Sequence, residues 1–499
     1  MAAKARTPFY RAAWRWHFYA GLISIPVIAL LCTTGIVWLF SPQIDGLIYG
    51  HARNVEPGRE RISYTQQEKI VRAAYPGGTV SRMAPPVAAD KATVFDITTK
   101  DGTAKTVYLD PYTGEISGER NTEKALTQIA LELHGSLMTA RWLGDEKWGD
   151  TLMELTASWA LVLVITGLIL WWPRGRSRSF REALTPRWRG RERRTSWRNV
   201  HAVTGVLFSF VTLFFILTGL MWTGGWGARY SDTASRLGSD YPPEVLNGVE
   251  SKPVSAAVQG GKAGWAASGL PASVPSGHDH STHSHSGADA GFDEHRSHQG
   301  HANPQAIAKA KAITWDPKDR APLDAVVARA EKEGMTGYSI LFPPDDKGSF
   351  QAVKWPDMDV KPNQSALDSA NVYIDQRDAT TLANVRFSDY GMMAQASSWG
   401  ISVHEGREWG LVSQLLMLVA SLAILVSLAT SVVMWRKRKP DGLGAPRRPP
   451  SKRASLLMIA IAGGLEIVFP MLGWSLLAIL VFEFFVLRRI PPLARALGA

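Results

Sequence analysis

The chain has 499 residues, 45% of them apolar, and a formal net charge of +11 at neutral pH. The basic excess stands beside long apolar runs, so anionic lipid headgroups are the expected partner and nucleic acid is not. A single cysteine, Cys32, excludes intramolecular disulfides and thiolate-held iron–sulfur clusters within one chain.

Residues 1–40 join a basic segment, with Lys4, Arg6, Arg11 and Arg15, to an apolar run from Phe18 to Phe40. Crossing about 30 Å of hydrocarbon takes about 20 residues, and this run qualifies. It is too long for the core of a secretory leader and no small-residue cleavage site follows, so a retained anchor is expected. Residues 41–133 are expected to form a small α+β domain: a helix over Gln66 to Ala74, then strands at Thr93 to Thr98 and Thr106 to Leu109. Segment 134–172 opens with LELHGSL, which holds His134, and contains a span over Leu152 to Trp172. Loop 173–198 has ten Arg against two Glu, and the third span, Val200 to Trp222, occupies 199–223.

A second outer domain covers 224–403, with a helix at Leu323 to Lys332 and strands at Gly337 to Leu341 and Gln351 to Lys354. Within it, residues 250–305 are rich in Gly, Ala, Ser and His, cannot supply a packed core, and read as a disordered insertion. Segment 404–435 opens at His404 and holds a span over Leu411 to Trp435. Loop 436–453 has eight basic residues against one Asp, and 454–499 reads as a hairpin of Leu456 to Phe469 and Trp474 to Leu487, bent at Pro470 and Gly473, with a tail.

Short basic stretches stay on the cytoplasmic side. Both termini and both basic loops are therefore expected in the cytoplasm of a bacterial cell, with 41–150 and 223–408 outside its inner membrane. The expected fold is a polytopic α-helical membrane protein: four core spans in two repeats, a C-terminal hairpin and two small α+β periplasmic domains.

The chain is written twice. WRWHFYAG from Trp14 matches WRNVHAVTG from Trp197; VYLDPYTGEISGER from Val107 matches VYIDQRDATTLANVR from Val372; LELHGSL matches ISVHEGR. The first turn has Asp-Pro and Thr-Gly, whereas the second has lost the Gly.

Eleven of the twelve histidines form two groups. His17 and His201 open outward-going spans near the cytoplasmic face; His134 and His404 precede inward-going spans near the outer face. An imidazole at a membrane boundary can simply rest its polar tip among headgroups. Four at matched depth also suit axial ligation of two noncovalent b-type haems, a wire across the bilayer, with Gly21, Gly135, Gly205 and Gly406 as points of close approach. No Cys-x-x-Cys-His is present for covalent attachment. The packed group, His278, His280, His283, His285, His295, His298 and His301, is either a solvated linker or a loose site for Zn, Cu, Ni or ferric iron. Glu154 stands near the outer end of its span, where water is in reach. Glu466 and Glu483 are placed to face each other, with no chemistry assigned.

In this order, WRWHFYAGL, VYLDPYTGEI, LELHGSL, VITGLILWWP, WRNVHAVTG and VHEGREWGL resemble the PepSY-associated transmembrane family, the iron-regulated membrane proteins, over roughly residues 8–437. The resemblance implies PepSY-like periplasmic domains and a haem b reductase of ferric siderophores, its ligands His17 with His201 and His134 with His404. No nucleotide fingerprint, phosphate loop or His-Glu-x-x-His is present, so electrons must come from a cytoplasmic reductase or membrane quinol. Another metal such as Cu(II), or a non-enzymatic anchor binding a periplasmic partner, are the competing readings. A transporter fits less well, because the copies keep one orientation and no span is broken by Gly or Pro at mid-depth.

Overall fold

The computed structural model describes residues 8–145, 147–172, 184–185, 193–252, 320–356, 359–361 and 363–438, and further on 456–457, 459–460, 463–464, 466–482, 485 and 489–490. The seven clustered histidines, Glu483 and most of both basic loops lie outside the described residues. The chain divides into a helical unit, Met1–Ile44 with Leu126–Leu237 and Ala396–Ala499, and a sheet unit, Asp45–Ala125 with Gly238–Gln395.

In chain order, α1 (Pro8–Leu39), α2 (Ser41–Arg53) and α3 (Tyr64–Ala74) precede β1 (Thr79–Ala84), β2 (Thr93–Thr98), β3 (Ala104–Leu109) and β4 (Ile116–Asn121). Then come α4 (Leu126–Ser136), α5 (Thr139–Leu143), α6 (Lys147–Trp171), α7 (Arg194–Leu207), α8 (Ser209–Leu220), α9 (Gly224–Arg236) and α10 (Pro243–Asn247). The rest are α11 (Leu323–Lys332), β5 (Ser339–Leu341), β6 (Phe350–Lys354), β7 (Ala370–Ile374), β8 (Thr381–Arg386), α12 (Met392–His404), α13 (Leu411–Arg438) and α14 (Pro470–Phe482).

Among the described residues three helices, α1, α6 and α13, are long and apolar enough to cross a membrane. The run expected as the third span is broken: α7 and α8 meet at 57° around Phe208. Neither Gly nor Pro stands at the break, and hydroxyls add hydrogen bonds to carbonyls beside it, Ser209 Oγ donating to Val206 O at 2.8 Å and Thr212 Oγ1 to Phe208 O at 2.8 Å. Helix α14 begins at Pro470, a residue suited to a first turn. It packs on α6 through Phe469, Leu472 and the Trp159 indole, which donates to Ser475 Oγ at 3.1 Å. Its Gly473 faces the Glu466 side chain, and a Cβ there would collide with it.

The two α+β modules expected from the sequence share one eight-stranded antiparallel sheet of order β4-β3-β2-β1-β5-β6-β7-β8. Their first strands join them, Arg82 opposite Leu341 and Met83 opposite Ile340. Period-two alternation explains the layering. Met83, Phe95, Val107, Ile340, Phe350 and Val372 face a core under α3 and α11, while Tyr108 and Val94 turn to the other face. The helices cap one another across the join: Asp324 of α11 accepts the N–H groups of Tyr64 and Thr65 at 2.8 and 3.1 Å. The turn after β7 keeps the shape of the one after β3, since Ala379 adopts φ +55° where Gly114 adopts +76°.

Candidate functional site

All four span-edge histidines fall in the helical unit. His17 lies inside α1 and His201 inside α7, while His134 and His404 end the last turns of α4 and α12. The structure brings them together as two pairs: His17 and His201 have ring centroids 6.1 Å apart with planes at 72°, and His134 and His404 6.2 Å apart at 79°.

Every ring is held through the same nitrogen. His17 Nδ1 lies 3.0 Å from Thr166 Oγ1, and His404 Nδ1 lies 2.7 Å from Thr218 Oγ1. His134 Nδ1 is 3.0 Å from Leu31 O and 3.3 Å from Thr34 Oγ1; His201 Nδ1 is 3.0 Å from Ser427 O and 3.1 Å from Ser427 Oγ. The three threonine hydroxyls already donate to carbonyls of their own helices, Thr166 to Val162 O at 2.6 Å, Thr218 to Phe214 O at 2.7 Å and Thr34 to Leu30 O at 2.9 Å. Nδ1–H must therefore be the donor in each ring. That tautomer leaves a lone pair on Nε2, the nitrogen with no hydrogen bond among the described residues. Each pair of rings therefore carries two such lone pairs, which a metal held between the rings would take up.

Small residues make room for the rings. A Cβ on Gly35 would stand 3.0 Å from His134 Cε1, on Gly167 3.3 Å from His17 Cε1, and on Gly219 3.8 Å from His404 Cε1. These are not the glycines expected from sequence. Gly135 faces nothing within 4 Å, Gly21 meets Leu163, Gly205 meets Ser427, and Gly406 instead turns the chain at φ +69° beside Leu39. The missed signal was a recurring Thr-Gly dipeptide, Thr34-Gly35, Thr166-Gly167 and Thr218-Gly219, in which the first residue holds an imidazole and the second admits it.

Haem fits this donor set. Two nitrogen–metal bonds of about 2 Å, added to the size of two imidazoles, place ring centroids about 6 Å apart, as found in both pairs. Two protein ligands per centre suit a metal whose remaining ligands come from a macrocycle. Among the described residues no three of His, Cys, Asp and Glu gather to form a cage for a bare ion. The two centres differ in depth, because α1 supplies His17 to one and Thr34 to the other; the 17 residues between them span about 25 Å of helix.

The chain matches the family model described as the PepSY-associated TM region across residues 14–438. It belongs to that family. No curated protein matches it. As a member of the PepSY-associated TM family with three long apolar helices, it is a membrane protein. Helix α14 lies beyond the family match. Glu154, expected to reach water, is instead buried, and its Oε2 accepts the Trp226 N–H at 3.1 Å in the first turn of α9, where a carboxylate is favoured.

Proposed function

We propose that the chain is a bacterial inner-membrane reductase with two b-type haems, one per imidazole pair, passing electrons across the bilayer to ferric iron in siderophore chelates at the periplasmic face. The observation that carries this reading is the pair of adjacent imidazoles, repeated at two depths, with every Nδ1 anchored and every Nε2 without a hydrogen bond among the described residues. When bound, haem supplies one-electron exchange between Fe(III) and Fe(II), which asks the protein for no general acid or nucleophile.

The chain's own residues then have few tasks. His17 and His201 hold the inner centre, and His134 and His404 the outer. Thr166, Ser427, Thr34 and Thr218 fix their tautomers, and Trp16, Trp159 and Phe215 help exclude water around them. The bent α7–α8 pair counts as the fourth span, the basic loops keep both termini in the cytoplasm, and the sheet unit corresponds to two joined PepSY-like domains. Reduction releases iron because hard oxygen chelators hold Fe(II) poorly. A cytoplasmic reductase or membrane quinol supplies the electrons.

A reduced-minus-oxidised optical spectrum with a pyridine haemochrome assay tests the reading in detergent-purified protein. The expected result is a b-type spectrum with two haems per chain, one of which is lost in His17→Ala and one in His134→Ala. Protein that lacks haem despite ample supply sinks the reductase and leaves a membrane anchor for a periplasmic partner. Reduction of Cu(II) chelates but not ferric ones by haem-loaded protein would reassign the substrate.

A further inference from the structure

The four imidazoles are not held equally. His134 and His201 each donate to a backbone carbonyl, while His17 and His404 are each held by a threonine hydroxyl. His404 has the shorter of those two contacts, the Thr218 hydroxyl at 2.7 Å against 3.0 Å for Thr166 at His17. The surroundings of Thr218 are built to keep it there. Its own proton is committed to Phe214 O at 2.7 Å, so its oxygen can only accept. Its methyl packs against Gly400, where a Cβ would come within 3.1 Å of it, on the helix that carries His404. Phe215 and Gly219, on either side of Thr218 in α8, complete a cradle around the ring, Phe215 with its centroid 4.9 Å from that of His404.

We propose that Thr218 is the positioning residue of the outer centre: its hydroxyl sets the tautomer and plane of His404 and its electron donation to the metal. The proposal rests on the two-haem reading above. A ring that donates its second N–H becomes a more basic ligand and favours the ferric state, and losing such a partner typically weakens metal binding by about 10–100-fold. Leu31 O backs up the hydroxyl acceptor at His134 and Ser427 O the one at His201, whereas no described group backs up Thr218 at His404. The near-perpendicular imidazoles of this pair also give a ferric low-spin centre a strongly anisotropic EPR signal, which reports ring orientation without any substrate.

The test compares Thr218→Val, which keeps the shape and removes the acceptor, with Thr218→Ser, which restores it, in the full-length detergent-purified protein. Redox titration and EPR are the readouts. Thr218→Val is expected to shift one midpoint potential upward, leave the other in place, and change the EPR signal of the shifted centre, or to lose that one haem. Thr218→Ser is expected to keep the parent values. Thr34→Val, which leaves His134 its Leu31 carbonyl, should shift less. Should the valine crowd Gly400 and prevent folding, Thr218→Ala carries the same expectation. Haem-loaded Thr218→Val with both potentials and the EPR signal unchanged overturns the proposal, as does a serine variant that behaves like valine. Parent protein without haem is a different failure, and sinks the reading on which this one rests.

Discussion

Buried polar groups mean opposite things in the two units. In the sheet unit they complete one another. Asp359 sits among three arginines, Arg120 at 3.1 Å, Arg53 at 3.3 Å and Arg82 at 4.0 Å, and accepts the Tyr108 hydroxyl at 3.0 Å; Asp45 and Asp96 balance Arg120 and Arg82. Charge there is structural, because each group's partner is another part of the fold. In the helical unit Thr34, Thr166 and Thr218 are satisfied by carbonyls of their own helices, and among the described residues the four imidazoles are satisfied on one nitrogen only. A half-satisfied group repeated four times, in pairs, is what the proposed two-haem reading explains and simple packing does not.

The largest effects expected are those that remove an imidazole. His17→Ala and His134→Ala each lose one centre outright, with the fold kept, as far-ultraviolet circular dichroism of the haem-depleted variants would show. If the same substitutions instead unfold the protein without any haem ever having been bound, the imidazoles are packing residues and the contrast between the units disappears.

Next comes Asp359→Ala. Removing one partner from a buried charge cluster costs about 3–5 kcal/mol, because the remaining charges stay buried and unbalanced. A thermal melt of the detergent-purified protein should show the loss in the sheet transition while haem content holds. Acid gives the same cluster a pH signature. Burial pushes the Asp359 carboxyl up, but Arg120, Arg53 and Arg82, with the Tyr108 hydroxyl, outweigh it and hold the group below the usual carboxylate range. A depressed folded value means that the contribution is full above the unfolded value of about 3.9 and is lost as pH falls below it. Sheet stability should therefore stay level with respect to this group down to about pH 4 and drop below, and Asp359→Asn should remove part of that drop. A smaller effect, about 1 kcal/mol, is expected for Asp324→Ala, which uncaps α3 across the join between the two halves.

What was legible in the sequence is local. Apolar run length gave α1, α6 and α13, and alternation gave β2, β3 and β6 within a residue or two. The histidines could be matched by depth because the repeat and the charge of the loops assign a level to each. What was not legible is non-local. The join of β1 to β5 depends on backbone edges, which carry no residue signature, so two modules were expected where one sheet forms. The bend at Phe208 has no Gly or Pro to announce it, and is accompanied by hydrogen bonds from hydroxyls one position away and one turn on. The burial of Glu154 follows from α9 folding back over α6, which the apolar pattern does not encode. The hydroxyl anchors were visible as Thr-Gly dipeptides and were missed because each alone is an ordinary helix-packing pair.

The finest comparison is between the two copies of one turn. Gly114 and Ala379 occupy the same place, each with its N–H bonded back to an aspartate carbonyl, Asp110 O at 2.9 Å and Asp375 O at 3.1 Å. Both are left-handed, a conformation that costs a residue with a Cβ about 1–2 kcal/mol. Gly114→Ala should therefore destabilise by that amount or more, since its new Cβ would also come within 2.9 Å of Ile70 Cδ1. The reverse change is not its mirror image. Ala379→Gly relieves the same strain but frees the unfolded chain, at about 0.4–1 kcal/mol. It also gives up a buried methyl worth about 0.8 kcal/mol. These terms nearly cancel, so the melting temperature should barely move. A clear gain from Ala379→Gly would mean that the second copy carries strain its packing does not offset; a loss as large as that of Gly114→Ala would mean that the methyl, and not the backbone, holds the turn.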